Sequence, residues 1–199
     1  MENALRGLTF KGYLVYLDDI IVYGRTEEEH LERLAKVLHS LQSVGLKIRP
    51  EKCQLMRRSV RYLSHVVTQH GIGTDPEKIA AVHRWPRPRC VKEVQQFMGL
   101  ASYYRRFVKN FASIGGPLHK LTKKVQRWIW GPKQEAALTK LKSALSSPPI
   151  LSHPHFDRPC LLDVDASEDA LGAVLSQVNS QGLPVVVAYA SRSLSQPEK

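Results

Sequence analysis

Residues 12–24, GYLVYLDDIIVYG, set two adjacent carboxylates, Asp18 and Asp19, in an otherwise apolar, β-branched and aromatic run. The alternation over 13–17 and 20–23 predicts a β-hairpin with the acids at or beside its turn. Two like charges about 4 Å apart repel by roughly 1 kcal/mol in water and about 4 kcal/mol near a protein surface. Two-residue hairpin turns favour Asn-Gly or Asp-Gly, because their central positions need positive φ, so Asp-Asp is a poor solution to the turn itself. Two readings stay open on these residues alone. Either the pair is a solvated tip, or it holds a hard divalent cation; Mg²⁺ usually binds through one or two carboxylates plus substrate phosphates.

After the hairpin, Thr26 and Glu29 have capping-box spacing. Leu31, Leu34, Leu38 and Leu41 recur at helical intervals until Gly45, which predicts an amphipathic helix packed on a sheet. Between 47 and 74 lie short β-type runs, KCQLM and VRYLSHVV, broken by Arg-Arg-Ser and by a turn at His70, Gly71 and Gly73. The texture changes at Asp75. Helix-period stretches are expected over 76–84, 91–107, 116–122 and 132–145, punctuated by prolines. Over 75–145 there are fifteen Lys or Arg against four Asp or Glu, interleaved with Trp85, Tyr103, Tyr104, Phe107, Trp128 and Trp130. The proline-rich stretch 147–159 reads as a linker, and CLLDVDAS, LGAVLSQV and PVVVAYASR follow as an antiparallel meander. Ser195 and Glu198 repeat the capping-box spacing.

The net charge of +11 points to a polyanionic partner such as nucleic acid. No apolar run approaches the length of a spanning helix, and the N-terminus lacks the layout of a signal peptide, so an intracellular chain with no membrane partner is expected. Cys53, Cys90 and Cys160 match no zinc or redox spacing and read as ordinary thiols. His153 and His155, separated by Pro154, read as linker residues rather than a metal pair.

YLDD followed by IIVYG, EEHLERLAKVL, GLKIRPEKC, YLSHVV, TDPEKI, FMGLASYYRRFV, PLHKLTK, LLDVDAS and AYASRSLS closely resembles, in order and over the whole chain, the polymerase of gypsy-like LTR retrotransposons. The resemblance implies an α+β fold in four parts. Residues 1–74 would be the end of a reverse transcriptase palm, 75–146 a helical thumb and connection, 147–159 a linker, and 160–199 the start of a ribonuclease H-like mixed sheet. It implies that Asp18 and Asp19, with Tyr16 and Leu17 completing the motif, face two Mg²⁺ ions in the chemistry of two-metal phosphoryl transfer. Leu63, Ser64 and His65 fall where the family has its primer grip, with Ser64 standing where Gly is usual. Lys92, Arg105, Arg106, Lys109, Lys123 and Lys124 would hold the duplex by its phosphates. Asp165 takes the first of the metal-binding positions of ribonuclease H. Asp163 shares its strand face and stays outside the set. Glu198 is assigned to the cap.

The partners so implied are an RNA template, a DNA primer, an RNA/DNA hybrid and deoxynucleoside triphosphates, in the cytoplasm or a retrotransposon particle. The 199 residues carry two of the three polymerase acids and one of four nuclease acids that the resemblance calls for, so this stretch alone is expected to be inert. A non-catalytic nucleic-acid-binding or interaction module is the other reading. The meander is expected to lack a helix across its apolar face.

Overall fold

The computed structural model describes residues 12–123 and 126–198. The chain divides into two compact units, Met1–Tyr62 and Leu63–Lys199.

In the first unit, β1 (Tyr13–Tyr16) and β2 (Asp19–Val22) form the antiparallel hairpin that the alternation predicts. Helix α1 (Glu27–Ser43) packs Val37 and Leu41 against Tyr13, with Val15, Ile20 and Val22 around them. Thr26 Oγ1 accepts from the Glu29 N–H at 3.2 Å, as the cap requires. The Glu29 carboxylate accepts from the Arg25 N–H (2.6 Å) rather than from Thr26, and it pairs with Arg33 (2.5 Å). At the far end Gly45, at φ 75°, closes a Schellman motif: its N–H reaches Gln42 O and the Leu46 N–H reaches Leu41 O, both at 3.0 Å. The buried stripe runs through Val37 and Leu41, whereas Leu31 and Leu38 lie on the exposed side. The KCQLM run forms no strand; a 3₁₀ turn, Pro50–Lys52, occupies its start, and β3 (Ser59–Tyr62) ends the unit.

The second unit begins with the hairpin of β4 (His65–Thr68) and β5 (Gly71–Thr74). Helices α2 (Pro76–His83), α3 (Val91–Tyr103), α4 (Phe111–Leu121) and α5 (Pro132–Ser146) follow. Asp75 caps α2 through the Glu77 N–H (2.9 Å) ahead of Pro76 at the first helical position. Helix α3 stops at Tyr103, four residues short of expectation, and passes into a 3₁₀ turn, Arg105–Phe107. Helix α4 starts five residues earlier than the proline suggested and keeps Pro117 in its interior. Phe111, Ala112, Gly115, Leu118 and Leu121 all face the core, and that burial outweighs the roughly 3 kcal/mol an interior proline costs. The core is built on Val82, Val94, Phe97, Tyr104, Phe107, Leu118, Leu141 and Leu145, all essentially inaccessible.

The stretch expected as a linker is instead a strap built into this unit. Leu151 is fully buried and exchanges backbone hydrogen bonds with Ile72, 2.8 and 2.9 Å. The Ser152 N–H donates to Val186 O at 2.8 Å, and His153 Nε2–H donates to Thr68 O at 2.7 Å. The buried Gln177 side chain accepts from the His155 N–H (2.9 Å) and donates to His155 O (2.8 Å). Prolines disfavour a helix interior but not extended chain, so a stretch that looks like a spacer can run as an irregular strand.

The meander of β6 (Leu161–Ala166), β7 (Ala170–Val178) and β8 (Pro184–Ser193) has the expected antiparallel order. Its apolar face is covered only over β7 and β8; every residue of β6, Leu162 and Val164 among them, is exposed. Val186 and Tyr189 of β8 pack on the helical core, and the Ala112 N–H at the start of α4 donates to Ser191 Oγ at 2.9 Å. Among the described residues no helix is long and apolar enough to cross a membrane.

Removing the side chain at the centre of the strap should be costly. Leu151→Ala is expected to destabilise the protein by about 2–5 kcal/mol, read as a lower urea midpoint; a loss below about 1 kcal/mol would contradict a structural role for the strap. Gly71→Ala should act in the same direction, because at φ 147° a Cβ would sit 2.2 Å from Leu151 O.

Candidate metal and nucleic-acid site

Pairing of Tyr16 with Asp19 leaves Leu17 and Asp18 as the two turn residues of the β1–β2 hairpin. Asp18 is therefore in the turn, and Asp19 opens β2. Leu17 adopts φ 53°, a left-handed backbone that costs a non-glycine residue about 1–2 kcal/mol. Tyr16, Leu17, Asp18 and Asp19 are all exposed. Among the described residues neither carboxylate has an ion pair or a hydrogen bond. Burial and the Asp19 charge together raise the Tyr62 phenol above its ordinary value. No cluster of three or more His, Cys, Asp or Glu is present among the described residues. The tip thus offers two hard, uncompensated oxygen ligands, a donor set that fits Mg²⁺ shared with substrate phosphates and not a closed all-protein cage.

Leu63 and Ser64 form a second two-residue connection, from β3 to β4, with φ 48° and 55°. Positive φ at both positions is the backbone of a type I′ turn, which glycine adopts without cost. Ser64, which is not glycine, therefore carries backbone strain there. Residues from the end of α3 hold this turn. Tyr103 Oη donates to Leu63 O at 2.6 Å and Tyr104 Oη donates to Ser64 O at 2.7 Å. His65 Nδ1–H donates to Leu63 O at 2.7 Å, which fixes the imidazole tautomer and leaves Nε2 buried without a partner among the described residues. The His65 ring lies 5.3, 5.6 and 5.7 Å from those of Tyr103, Tyr104 and Phe107. Burial lowers the His65 pKa, and the Arg106 charge lowers it further, against the bond to Leu63 O. Burial, with the Asp75 charge adding to it, pushes the Tyr104 phenol up to about 12.

Of the basic residues, Arg105 and Arg106 lie in the 3₁₀ turn that follows the two tyrosines, and Lys109 comes two residues after it. All three are exposed, beside the buried Phe107. Lys92 is exposed in the first turn of α3, about 20 Å away along the helix. Lys123 is exposed just beyond α4, and Lys124 lies outside the described residues. Trp128 and Trp130 pack against the core rather than standing free; Trp130 Nε1 donates to Glu135 at 2.7 Å and Arg87 covers the same ring at 5.4 Å.

Asp165 lies on β6 opposite Gly172, with Asp163 two residues back on the same face. All six residues of β6 are exposed, and among the described residues neither carboxylate has an ion pair or a hydrogen bond. Glu198 is engaged as a cap and an ion pair. It accepts from Arg192 (2.7 and 2.9 Å) and from the Ser195 N–H (2.9 Å) and Oγ (2.8 Å), bonds that hold its carboxyl down at about 2.

What sequence reasoning missed is the role of the tyrosine pair. Tyr103 and Tyr104 register in the sequence only as aromatics among basic residues, and no local pattern signals hydrogen bonds to a turn 40 residues away.

An acidic hairpin tip followed by a helix, then a helical body joined to an antiparallel meander, is the framework of a reverse transcriptase segment with the beginning of a ribonuclease H-like sheet. Residues 1–67 match the family "Reverse transcriptase (RNA-dependent DNA polymerase)", and residues 130–199 match "RNase H-like domain found in reverse transcriptase". The chain is 40% identical over 200 residues to the Retrovirus-related Pol polyprotein from transposon 297 of Drosophila melanogaster, covering 100% of this chain and 18% of that protein. It is 34% identical over 197 residues to the Transposon Tf2-3 polyprotein of Schizosaccharomyces pombe, covering 98% of this chain and 15% of that protein. Among solved structures, the foamy viral protease-reverse transcriptase in complex with RNA/DNA hybrid superposes with a TM-score of 0.83 at 29% identity, over 99% of this chain and 26% of that one. The same viral protein in complex with dsDNA gives the same TM-score and identity over 41% of its chain. The chain belongs to the reverse transcriptase and ribonuclease H region of LTR-retrotransposon polyproteins. It spans less than a fifth of the length of those two polyproteins.

Two outcomes follow from the strained turn and its histidine. A folded-state pKa below the ordinary 6.5 means that the stability His65 contributes is fully present above pH 6.5 and is lost as the pH falls through the lowered value. NMR titration should therefore show His65 protonating below 6.5, with the Leu63 and Ser64 amides shifting alongside; an imidazole that titrates at or above 6.5 would contradict its burial. Ser64→Gly should relieve strain and raise unfolding stability by up to about 1 kcal/mol, measured by urea denaturation.

Proposed function

We propose that this stretch supplies two partial active sites and part of the duplex-binding surface of an RNA-directed DNA polymerase with ribonuclease H activity, working on an RNA template, a DNA primer and deoxynucleoside triphosphates. The observation that carries the reading is the exposed Asp18–Asp19 pair, two adjacent carboxylates without an ion pair among the described residues. Asp18 and Asp19 would hold Mg²⁺, with Leu17 setting the turn backbone and Tyr16 flanking it. A bound metal pair supplies charge neutralisation at the attacking and leaving oxygens of phosphoryl transfer. The chain's own contribution is to keep two carboxylates side by side at a solvent-facing tip, where substrate phosphates complete the coordination. Asp165 would hold Mg²⁺ for the nuclease in the same way, from an exposed strand.

In this reading residues 1–74 end the palm, 75–146 form thumb and connection, 147–159 carry the chain onward as the strap, and 160–199 open the ribonuclease H-like sheet. The Leu63–Ser64–His65 turn is the primer grip. Arg105, Arg106 and Lys109 take duplex phosphates next to it, with Lys92, Lys123 and Lys124 farther off. The basic excess also supports a simpler role, nucleic-acid binding without catalysis, and the two roles separate on metal binding.

Mn²⁺ titrated into the labelled chain should broaden the amides of residues 17–20 selectively, and Asp18→Asn or Asp19→Asn should abolish the effect. Uniform or absent broadening would leave only the binding role. Affinity for an RNA/DNA hybrid should fall steeply with salt, and Arg105→Ala with Arg106→Ala should reduce the slope of log K against log salt by about 2. A flat salt dependence would remove the phosphate contacts from the proposal.

A further inference from the structure

The Leu63–Ser64 turn is held in an unusual way for a surface connection. Each of its carbonyl oxygens accepts a tyrosine hydroxyl, from Tyr103 at 2.6 Å and from Tyr104 at 2.7 Å, and Leu63 O also accepts from His65 Nδ1. The two backbone N–H groups of the turn have no hydrogen-bond partner among the described residues. Both backbone carbonyls of this short segment are thus engaged with protein, and among the described residues its backbone N–H groups are not.

We propose that Tyr103 and Tyr104 are positioning residues that fix the Leu63–Ser64 turn with its carbonyls inward, so that the Leu63 and Ser64 N–H groups are the donors offered to a phosphate of the primer strand. The inference rests on the reading of this turn as the primer grip.

A carbonyl facing a phosphate repels it, whereas an N–H attracts it, so the orientation of these two peptides decides whether the turn binds or rejects a nucleic-acid backbone. Both residues have positive φ and neither is glycine, so the turn would relax out of this conformation without bonds that hold it. The anchors are themselves rigid. Tyr104 is fully buried, its ring is 5.1 Å from that of Tyr103 in an edge-on contact, and the His65 ring lies against both. Tyr103 is about half exposed, at 49%, and Arg106 lies close enough for its charge to act on His65. A cation is therefore felt at the imidazole that braces the turn.

The test uses Tyr103→Phe, Tyr104→Phe and the double variant of this chain, which delete only the hydroxyls. Amide shifts of Leu63 and Ser64 and the affinity for an RNA/DNA hybrid are followed over a salt series. In the unaltered chain the hybrid should shift both amides. Each hydroxyl lost should weaken binding by about three- to tenfold and diminish those shifts, with the salt slope unchanged, because a neutral N–H displaces no counterion. Thermal stability alone falling, with amide shifts and affinity retained, would overturn the proposal while leaving the primer-grip reading intact. Absence of any amide shift in the unaltered chain would overturn both. Tyr103→Phe touches a half-exposed side chain and decides the question alone if the variants at Tyr104 do not fold.

Discussion

The second unit depends on one buried backbone exchange, the pair of hydrogen bonds between Ile72 and Leu151. Ile72 belongs to the hairpin that follows the Leu63–Ser64 turn, Leu151 sits among the helical core residues, and the next residue, Ser152, bonds to Val186 of the meander. Two adjacent residues of the strap thus tie the hairpin, the helical core and the meander together. Leu151 can reach full burial only because its N–H and C=O are both satisfied there; an unpaired buried peptide costs about as much as the side chain gains. Gly71, with no side chain to meet Leu151 O, makes that approach possible.

The two turns of the candidate sites occupy places where local backbone rules are broken. Leu17 in the acidic turn, and Leu63 and Ser64 in the second turn, all have left-handed φ, and none is glycine. Such conformations persist only where surrounding contacts over-determine them. At the second turn those contacts are the two tyrosine hydroxyls and His65; at the first, the register of β1 and β2 imposes the turn. The exposed acids Asp18, Asp19 and Asp165 belong to the same logic. An exposed carboxylate with no ion pair among the described residues is free to take a cation or a phosphate-bound metal.

Much of this was legible from residue patterns. The hairpin around Asp18 and Asp19, the Thr26 cap, the Gly45 stop, the Pro76 and Pro132 helix starts and the strand order of the meander are all local, and local propensity dictated them. The Glu198 cap was equally local, its carboxylate returning to Ser195 three residues away. Misreadings arose where a local signal met a stronger tertiary one. Pro117 reads as a helix start, yet five core-facing residues around it carry α4 through. Leu31 and Leu38 share a helical period with Leu41 but not its face, because Val37 completes the buried stripe.

The sequence by itself determined which residues could do chemistry: an acidic pair between β-branched runs, a basic helical middle, and Asp165 with Asp163 on an alternating strand. These follow from side-chain type and short spacing, which act over a few residues. Only the tertiary structure decided that the proline-rich stretch is a core strap, that α4 packs on β7 and β8 of the meander, and that Tyr103 and Tyr104 hold the Leu63–Ser64 turn. Each of those outcomes pairs hydrogen-bonding groups or apolar faces tens of residues apart, and such pairing is selected by what the folded core leaves unsatisfied, not by any pattern a neighbouring residue could reveal.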